Sequence, residues 1–226
     1  MKKHSCKDCL IMSEAAKSLS PEDFEILESN AVQVLFKKGE VILKQGAIST
    51  NVAFLKSGLV KIHMQGPVNE KILRIIKAPS YLGITTTFGV KLNQFSATAL
   101  EATTVCFIDS NIFREFIYKN GKFAHEIIIE LCNNELYDYQ KSVSLSQKQI
   151  PGLVAETLLC MSDKIFNNDK FCFPLTRNEM SDMIGTTRES ISRVLTEFSN
   201  DKIIELHGSE ISILNKELLI QISEKG

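Results

Sequence analysis

Four side chains able to recognise DNA bases lie close together between Leu175 and Leu195, in the segment LTRNEMSDMIGTTRESISRVL. Arg188 and Arg193 each carry a guanidinium group that donates two hydrogen bonds to guanine, and the carboxylate of Glu189 accepts from the cytosine amine. Ser192 lies one helical turn after Arg188, so a helix would present all four residues on one side. The residue types and spacing predict that this segment reads base edges in DNA.

The elements that would position these side chains are indicated by helix-start signals in the same segment. Thr176 followed by Glu179, and Thr186 followed by Glu189, each have the spacing of a capping box. Gly185 falls between the two predicted helices, where a sharp turn is needed. The pattern predicts a helix-turn-helix whose second helix begins after Thr186 and enters the major groove.

The composition is typical of a globular protein with an apolar core. The chain has 226 residues, of which 44% are hydrophobic and 23% charged. No segment approaches the roughly 18–20 apolar residues that span a membrane, so we expect no membrane partner. The apolar run in MKKHSCKDCLIM is shorter than a signal peptide requires, and we therefore predict a cytoplasmic location.

The charge balance disfavours general adhesion to nucleic acid. The net charge is −1, and residues 151–226 contain 8 Lys/Arg against 12 Asp/Glu, a difference of −4. Binding to DNA phosphates would therefore require the basic side chains to share one face, and a second copy of the chain would double that face. The candidates are Arg177, Arg188, Arg193 and Lys202.

Three regions with different patterns follow one another along the chain. A capped helix is predicted from Ser20 to about Glu28, and short runs of β-forming residues separated by turns extend from Ala31 to Ile108. A long helix is predicted over residues 122–149, and KIIELHGSEISILN predicts a small hairpin beside the helix-turn-helix. The long helix carries apolar residues spaced three and four apart, which favours a coiled-coil homodimer over a helix buried within one chain. These residues are Ile129, Cys132, Leu136, Tyr139, Val143 and Ile150.

In this order, the regions resemble the Crp/Fnr family of bacterial transcription regulators. The segment Thr187-Arg188-Glu189-Ser190-Ile191-Ser192-Arg193 resembles the family's recognition helices, and the KKGEVILKQG and SGLVKI runs resemble its β-roll. The resemblance implies an α+β fold with an N-terminal cyclic-nucleotide-binding-like β-roll (jelly roll), a long dimerisation helix and a C-terminal winged helix-turn-helix. The expected boundaries are 1–120, including a CxxC segment within 1–19, then 121–150 and 151–226.

The resemblance also implies roles for residues of the second helix. Glu189 and Arg193 would read a C and a G of a TGA half-site core, Ser192 would contact a thymine, and Arg188 could read an outer guanine. A homodimer on double-stranded DNA would then recognise TTGA-N6-TCAA or TGTGA-N6-TCACA, and RNA polymerase is an expected partner. Thr186, Thr187 and Arg177 complete the predicted DNA-binding set.

The resemblance disfavours cAMP as the effector. The family's cyclic-nucleotide members use a glycine–glutamate pair and an arginine–serine pair, where the arginine neutralises the cyclic phosphate. Here Ile84 follows Gly83, and Phe95 precedes Ser96, so both charged groups are replaced by apolar ones. We expect an effector other than cAMP.

An alternative function is a redox or metal sensor that uses cysteine thiols. Cys6, Cys9 and Cys106 resemble three of the four ligands of the family's iron–sulfur branch, but the fourth cysteine is missing. Cys6 and Cys9 could instead anchor the N-terminus, act as a redox thiol pair, or bind zinc with His4. The remaining cysteines, Cys132, Cys160 and Cys172, are expected to be core thiols.

The resemblance offers haem as a further cofactor alternative. His63, Met64 and His125 are candidate axial ligands, although a lone histidine is more often structural. The sequence shows no nucleophile–base set, no phosphate-cradling glycine loop and no complete metal motif, so we predict that the chain is not an enzyme.

Overall fold

The computed structural model describes residues 12–226. They divide into two compact units, one that runs up to Gln65 and resumes over Arg74–Leu136, and one that comprises Gly66–Leu73 and Tyr137–Gly226. As far as Gln147 the elements are α1 (Glu14–Lys17), α2 (Pro21–Ser29), β1 (Ala31–Phe36), β2 (Val41–Leu43), β3 (Asn51–Ser57), β4 (Leu59–Gln65), β5 (Glu70–Lys77), β6 (Ser80–Leu82), α3 (Ile84–Phe88), β7 (Ser96–Ala99), β8 (Thr103–Asp109), α4 (Ser110–Lys119) and α5 (Gly121–Gln147).

The remaining elements belong to the second unit. They are α6 (Ile150–Cys160), a π-helical segment (Met161–Phe166), β9 (Lys170–Cys172), α7 (Arg177–Ile184), α8 (Arg188–Asn200), β10 (Ile204–His207), β11 (Glu210–Ile213) and α9 (Lys216–Lys225).

The strands of the first unit form the predicted β-roll. Two four-stranded sheets have the orders β1-β8-β3-β6 and β2-β7-β4-β5. Apolar side chains from both sheets form one cluster, in which Leu55, Val60 and Val105 are completely buried. Gly58 joins β3 to β4 with a φ of 97°, and a Cβ there would lie 2.5 Å from Thr103 Oγ1, so this turn requires glycine.

A second apolar cluster connects one of these sheets to the helices of the same unit. Phe54 of β3 and Ile108 of β8 contribute to it from the sheet. Ala15, Leu27, Phe113, Phe116, Phe123 and Ile127 contribute from α1, α2, α4 and the start of α5. Helix α2 begins after Ser20, whose side chain accepts from the Asp23 N–H, as the sequence predicts. The cluster therefore fixes α1 and the first turns of α5 against the β-roll.

Helix α5 contains 27 residues, a length of about 40 Å. Its buried side chains are Phe123 and Ile127, near its first turns. The prediction that this helix and its apolar row continue to about residue 150 is wrong at the end, because the helix stops at Gln147. Gln149 has extended backbone angles and caps α6, so Ile150 belongs to the next helix. Pro151 lies in the first turn of α6, where its fixed φ favours a new helix start.

The second unit has the winged helix-turn-helix arrangement that the sequence predicts. β9, β10 and β11 form a three-stranded sheet in the order β10-β11-β9, with β10 and β11 as the predicted hairpin. Asn215 caps α9 by accepting from the Leu218 N–H at 3.0 Å. Among residues 12–226, no helix has both the length and the apolar character needed to cross a lipid bilayer.

Candidate DNA-binding site

Helix α7 begins with the predicted capping box. Thr176 Oγ1 accepts from the Glu179 N–H at 3.2 Å, and Glu179 Oε2 accepts from the Thr176 N–H at 2.8 Å. The helix ends at Gly185, which has a φ of 87° and donates its N–H to the Ser181 carbonyl. These contacts satisfy backbone groups at both ends of α7 and define the turn before α8.

The cap of α8 differs from the prediction by one residue. Thr187, rather than Thr186, is the N-cap, and its Oγ1 accepts from the Ser190 N–H at 3.2 Å. Glu189 is then the second residue of the helix instead of the third, so it has no part in a capping box. The carboxylate of Glu189 is therefore available for a ligand.

The four predicted base-reading residues share one surface of α8, which we call the reading face: Arg188, Glu189, Ser192 and Arg193. All four are exposed. Beneath them, Ile191, Val194, Leu195 and Phe198 are buried and pack the opposite side of the helix. The burial pattern thus fixes the orientation of α8 within its unit and leaves the reading face open to solvent.

Arg193 has a weak connection to its own helix. Its Nε lies 3.9 Å from Glu197 Oε1, and the two side chains are 70% and 56% exposed. Such a solvated pair contributes little free energy. The guanidinium can therefore exchange this partner for a base at small cost.

The other predicted DNA contacts lie at helix ends. Thr186 is half-buried and Thr187 exposed, both in the turn before α8. Arg177, the first residue of α7, is half-buried, and this burial lowers the pKa of its guanidinium. Lys202 follows α8, is exposed and has a φ of 56°.

Two pairs of polar side chains lie on the three-stranded sheet of the same unit. Lys170 Nζ lies 2.9 Å from Glu210 Oε1, and His207 Nε2 lies 3.3 Å from Glu205 Oε1. The ion pair of Lys170 reduces the positive charge that this sheet can offer to phosphate. Of the predicted phosphate-binding residues, Arg177 begins α7 and Lys202 follows α8.

An ion pair connects Lys148, the residue after the end of α5, to helices α6 and α9 of the second unit. Lys148 Nζ donates to Glu156 Oε2 of α6 at 2.8 Å and to Ser223 Oγ of α9 at 3.3 Å. Burial raises the pKa of Glu156, but the hydrogen bonds from Lys148 and Ser144 and the nearby charges of Lys141 and Lys148 together outweigh it, so the pKa is lowered overall. This ion pair thus favours the ionised form of the Glu156 carboxylate.

Of the predicted cofactor-binding cysteines, Cys106 is among the residues that the structure describes. Cys6, Cys9 and His4 lie outside the described residues. Cys106 is a buried residue of β8 and lines an apolar cavity of about 40 Å³ together with Met12 and Ser13. Within residues 12–226, no group of three or more His, Cys, Asp or Glu side chains is arranged to hold a metal ion. The described residues thus place one candidate thiol and supply no metal site.

The two histidines among the haem candidates lie in different environments. His63 is buried in β4, with its Nε2 2.8 Å from Thr98 Oγ1, whereas His125 is exposed on α5. The expectation of core thiols is wrong for Cys132 and Cys172, which are exposed, while Cys160 is partly buried. Apolar neighbours in sequence did not place these cysteines, because adjacent side chains point to opposite sides of a strand and are about 100° apart around a helix.

Glu130 is a residue that the sequence patterns above do not indicate. It lies on α5 one turn after the buried Ile127, and its Oε1 accepts from the Tyr81 N–H of β6 at 2.9 Å. Burial raises the pKa of its carboxyl group, although hydrogen bonds from Tyr81 and Ser80 oppose this effect. The sequence feature that could have indicated Glu130 is its position three residues after Ile127, on the same face of the predicted helix.

Comparison with known proteins connects both units to one family. Residues 154–222 match the model of a Crp-like helix-turn-helix domain, and residues 33–120 match the model of a cyclic nucleotide-binding domain. The chain is 26% identical over 216 residues to the transcriptional activator protein FnrA of Stutzerimonas stutzeri, covering 93% of this chain and 88% of FnrA.

A more distant relative and a solved structure agree with this result. The CRP-like cAMP-activated global transcriptional regulator of Mycobacterium tuberculosis is 22% identical over 208 residues, covering 90% of this chain and 93% of the relative. The structure of FixK2 from Bradyrhizobium japonicum has the same fold, with a TM-score of 0.77 and 18% identity, covering 85% of this chain and 96% of FixK2. The chain is therefore a transcription regulator, not an enzyme, and it belongs to the Crp/Fnr family.

Proposed function

We propose that the chain works as a homodimer that reads an inverted repeat with a TGA core in each half-site. The observation that carries this proposal is the reading face of α8, where two arginines, a glutamate and a serine are exposed above a buried apolar side. A helix packed in this way can enter the major groove, where each base pair presents a distinct pattern of donors and acceptors.

Each residue of the reading face has a proposed partner. Arg193 donates to the core guanine, and Glu189 accepts from the cytosine amine of the complementary strand. Ser192 contacts a thymine, and Arg188 reads an outer guanine. Four residues at helix ends are proposed to contact phosphates, which position the helix without reading sequence: Arg177, Thr186, Thr187 and Lys202.

The second copy is proposed to dock along α5. Ile129, Leu136, Tyr139 and Val143 are 40%, 57%, 58% and 52% exposed, large values for apolar side chains repeated every three to four residues. A parallel partner helix would cover this row by knobs-into-holes packing. The two recognition helices could then address half-sites about one DNA turn apart.

The proposed effector is not cAMP. Ile84, at the position of the family's glutamate, is 7% exposed, and Phe95 packs against the cluster between the sheets. Neither side chain can neutralise a cyclic phosphate, and leaving that charge buried without a partner would be costly. The relative from M. tuberculosis is named as cAMP-activated, so this chain is proposed to differ from it in the signal it senses.

RNA polymerase is the proposed protein partner. FnrA and the Anr protein of Pseudomonas protegens, which is 27% identical over 216 residues, are both named transcriptional activators. Activation by the same route would require contact with the polymerase.

Sequence reading is tested with Arg193→Ala. Loss of the guanine contact should cost about 1–3 kcal/mol for each half-site. The measurement is fluorescence anisotropy of a labelled TTGA-N6-TCAA duplex against a scrambled duplex of equal length. Lys225→Ala, which removes one exposed positive charge from α9 of the same unit, is the matched control and should bind like the wild type. Equal binding of the two duplexes by the wild type would refute the proposal.

A further inference from the structure

The first unit contains a cavity that the DNA-binding proposal does not use. It has a volume of about 340 Å³ and lies between α1, the start of β6 and the middle of α5. This volume falls at the lower end of the range for small-molecule sites. It is separate from Ile84 and Phe95, which stand at the family's cyclic-nucleotide positions and are not among its lining residues.

The residues that line this cavity include both apolar and polar side chains. Phe54, Pro79 and Ile129 supply apolar surface, whereas Ser80, Asn133 and Asn134 supply hydrogen-bonding groups. A ligand matching these walls would have a short apolar body and a polar end. Such a division orients a small molecule and gives the site its selectivity.

The charged residues that line the cavity determine whether it favours a positive or a negative group on the ligand. Three carboxylates line the cavity, those of Glu14, Glu126 and Glu130, and its described lining residues include no lysine, arginine or histidine. Glu14 already forms an ion pair with Lys17, so Glu126 and Glu130 supply the remaining negative charge. Arg74 affects Glu130 electrostatically, but it donates to Asn134 Oδ1 at 2.9 Å and is not a lining residue. The cavity therefore favours a cation, and the described residues offer no cluster suited to a metal ion.

Glu130 is the carboxylate best placed to receive the cation. Both of its hydrogen bonds within residues 12–226 fall on Oε1, from the Tyr81 N–H at 2.9 Å and Ser80 Oγ at 3.3 Å. These bonds hold the side chain in one orientation. Its partly buried position would strengthen a charge pair relative to a pair in open water.

The same residues connect the cavity to α5. Tyr81 bonds Glu130 of α5 through its backbone, and its hydroxyl lies 2.7 Å from Ser13 Oγ, the cap of α1. A molecule bound between these elements would contact both helices. It could therefore shift the equilibrium between two positions of α5, as a regulatory ligand must.

We propose that this cavity is a regulatory site for a small organic ammonium compound, whose charged nitrogen pairs with Glu130 and whose apolar body lies against Phe54, Pro79 and Ile129. This inference rests on the proposed function, because regulation is meaningful only if the chain binds DNA. It names the chemical class of the effector and a site different from the cyclic-nucleotide positions.

Ligand binding is tested by thermal unfolding of the full-length protein without DNA. The probe is 2-phenylethylammonium, compared with 2-phenylethanol and 3-phenylpropionate, which are similar in size but neutral and negative. At saturation, we expect the ammonium compound alone to raise Tm by about 2–8 °C. Absence of a shift with 2-phenylethylammonium and with short alkylammonium ions would overturn the proposal.

Two variants locate the binding. Glu130→Gln should abolish the ammonium-specific shift, whereas Glu101→Gln, at an exposed carboxylate outside the cavity lining, should retain it. Asn133→Phe fills the cavity while leaving the bonds of Glu130 intact, so it should also abolish the shift even if Glu130→Gln folds poorly. Circular dichroism checks the fold of each variant. An unchanged shift in correctly folded Asn133→Phe would contradict the assigned site.

The effect of the ligand on DNA binding is measured separately, as the change in affinity for the TTGA-N6-TCAA duplex when 2-phenylethylammonium is added. We expect a change of about fivefold or more, the usual lower range for coupling between sites. A thermal shift without any change in affinity would overturn regulation by this cavity. If the protein prefers this duplex to a scrambled one neither with nor without ligand, the proposed function is overturned. The thermal shift would still show whether the ligand binds in the cavity.

Discussion

The four described cysteines differ in environment, and this decides their reactivity. Cys106 is 7% exposed within the cluster that joins the β-roll to its helices. Cys160 is partly buried, and its burial raises the pKa of its thiol. Cys132 and Cys172 are exposed. Because the thiolate is the reactive form, burial slows alkylation both by blocking access and by disfavouring ionisation.

Alkylation by iodoacetamide at pH 7.5 should therefore modify Cys172 first, with Cys106 and Cys160 at least about tenfold slower. The rate at Cys132 depends on dimerisation, because this residue lies in the apolar row of α5 that is proposed to bind a second chain. Peptide mass spectrometry after timed quenching measures each rate. Labelling in 6 M urea serves as the control and should remove the difference. Rapid modification of Cys106 in the folded protein would contradict its placement in the core.

At the scale of single residues, the sequence predicted the exposure of the residues in α8 better than that of the cysteines. The reading face is exposed as its polar character implied, and Ile191 and Val194 are buried as their spacing implied. Cys132 could not be placed from its neighbours, because it lies on a surface of α5 whose partner would be another chain. Apolar residues at such a surface look like core residues in sequence.

The first turn of α8 depends on a choice between two adjacent threonines. Both satisfy the residue preference for an N-cap, and Thr186 also has the capping-box spacing to Glu189. The structure uses Thr187, because Gly185 and Thr186 both donate their N–H groups to the Ser181 carbonyl and so complete the end of α7. The geometry of the turn thus overrides the local sequence signal.

Thr187→Ala should lower the free energy of unfolding by about 0.5–2 kcal/mol, since the Ser190 N–H loses its acceptor. Thr186→Ala is the matched control and should change it by less than about 0.5 kcal/mol. Urea denaturation followed by circular dichroism measures both. A larger effect of Thr186→Ala would show that the sequence-based cap is the correct one.

Helix α5 has different surroundings along its length. Its first turns pack against the β-roll through Phe123 and Ile127, whereas Leu136, Tyr139 and Val143 are exposed. Exposed apolar residues in a repeating row are a sign of an interaction surface. The coiled-coil spacing made this surface predictable, but the end of the helix at Gln147 depended on the start of α6 and was not.

A charge in this row should prevent association of two chains. Leu136→Glu is expected to give monomers and to weaken binding to the inverted repeat at least about tenfold, because a buried charge without a partner is unfavourable. Gln140→Glu adds the same charge at an exposed position outside the row. Sedimentation equilibrium measures the molecular mass of each. Dimers of Leu136→Glu as stable as those of Gln140→Glu would exclude α5 as the interface.

For the whole molecule, the positions of the basic residues matter more for DNA binding than the net charge. The net charge is −1, yet Arg177, Arg188, Arg193 and Lys202 all lie in or next to the helix-turn-helix. Residues 151–226 nevertheless contain 8 Lys/Arg against 12 Asp/Glu, and the acidic side chains of this part of the chain repel the DNA backbone at long range. Binding should therefore depend on a few close phosphate contacts and on salt concentration.

We expect the logarithm of the association constant to fall linearly with the logarithm of the KCl concentration, with a slope of about −4 to −7 for the dimer. Lys202→Ala should make the slope shallower by about 1–2, as one phosphate contact is lost from each half-site. Lys225→Ala should leave the slope unchanged. Anisotropy titrations from 50 to 300 mM KCl provide the slopes, and a slope near zero would contradict the proposed backbone contacts.

The length of the reading face limits how much sequence one protein dimer can specify. From Arg188 to Arg193, α8 rises about 8 Å, which corresponds to two or three base pairs at about 3.4 Å each. If each half-site fixes the three positions of its TGA core, the two half-sites fix six, a pattern that recurs by chance roughly once in four thousand base pairs. A bacterial chromosome of a few million base pairs would contain on the order of a thousand such matches. Promoter choice must therefore draw further information from the flexibility of the six central base pairs or from neighbouring bound proteins.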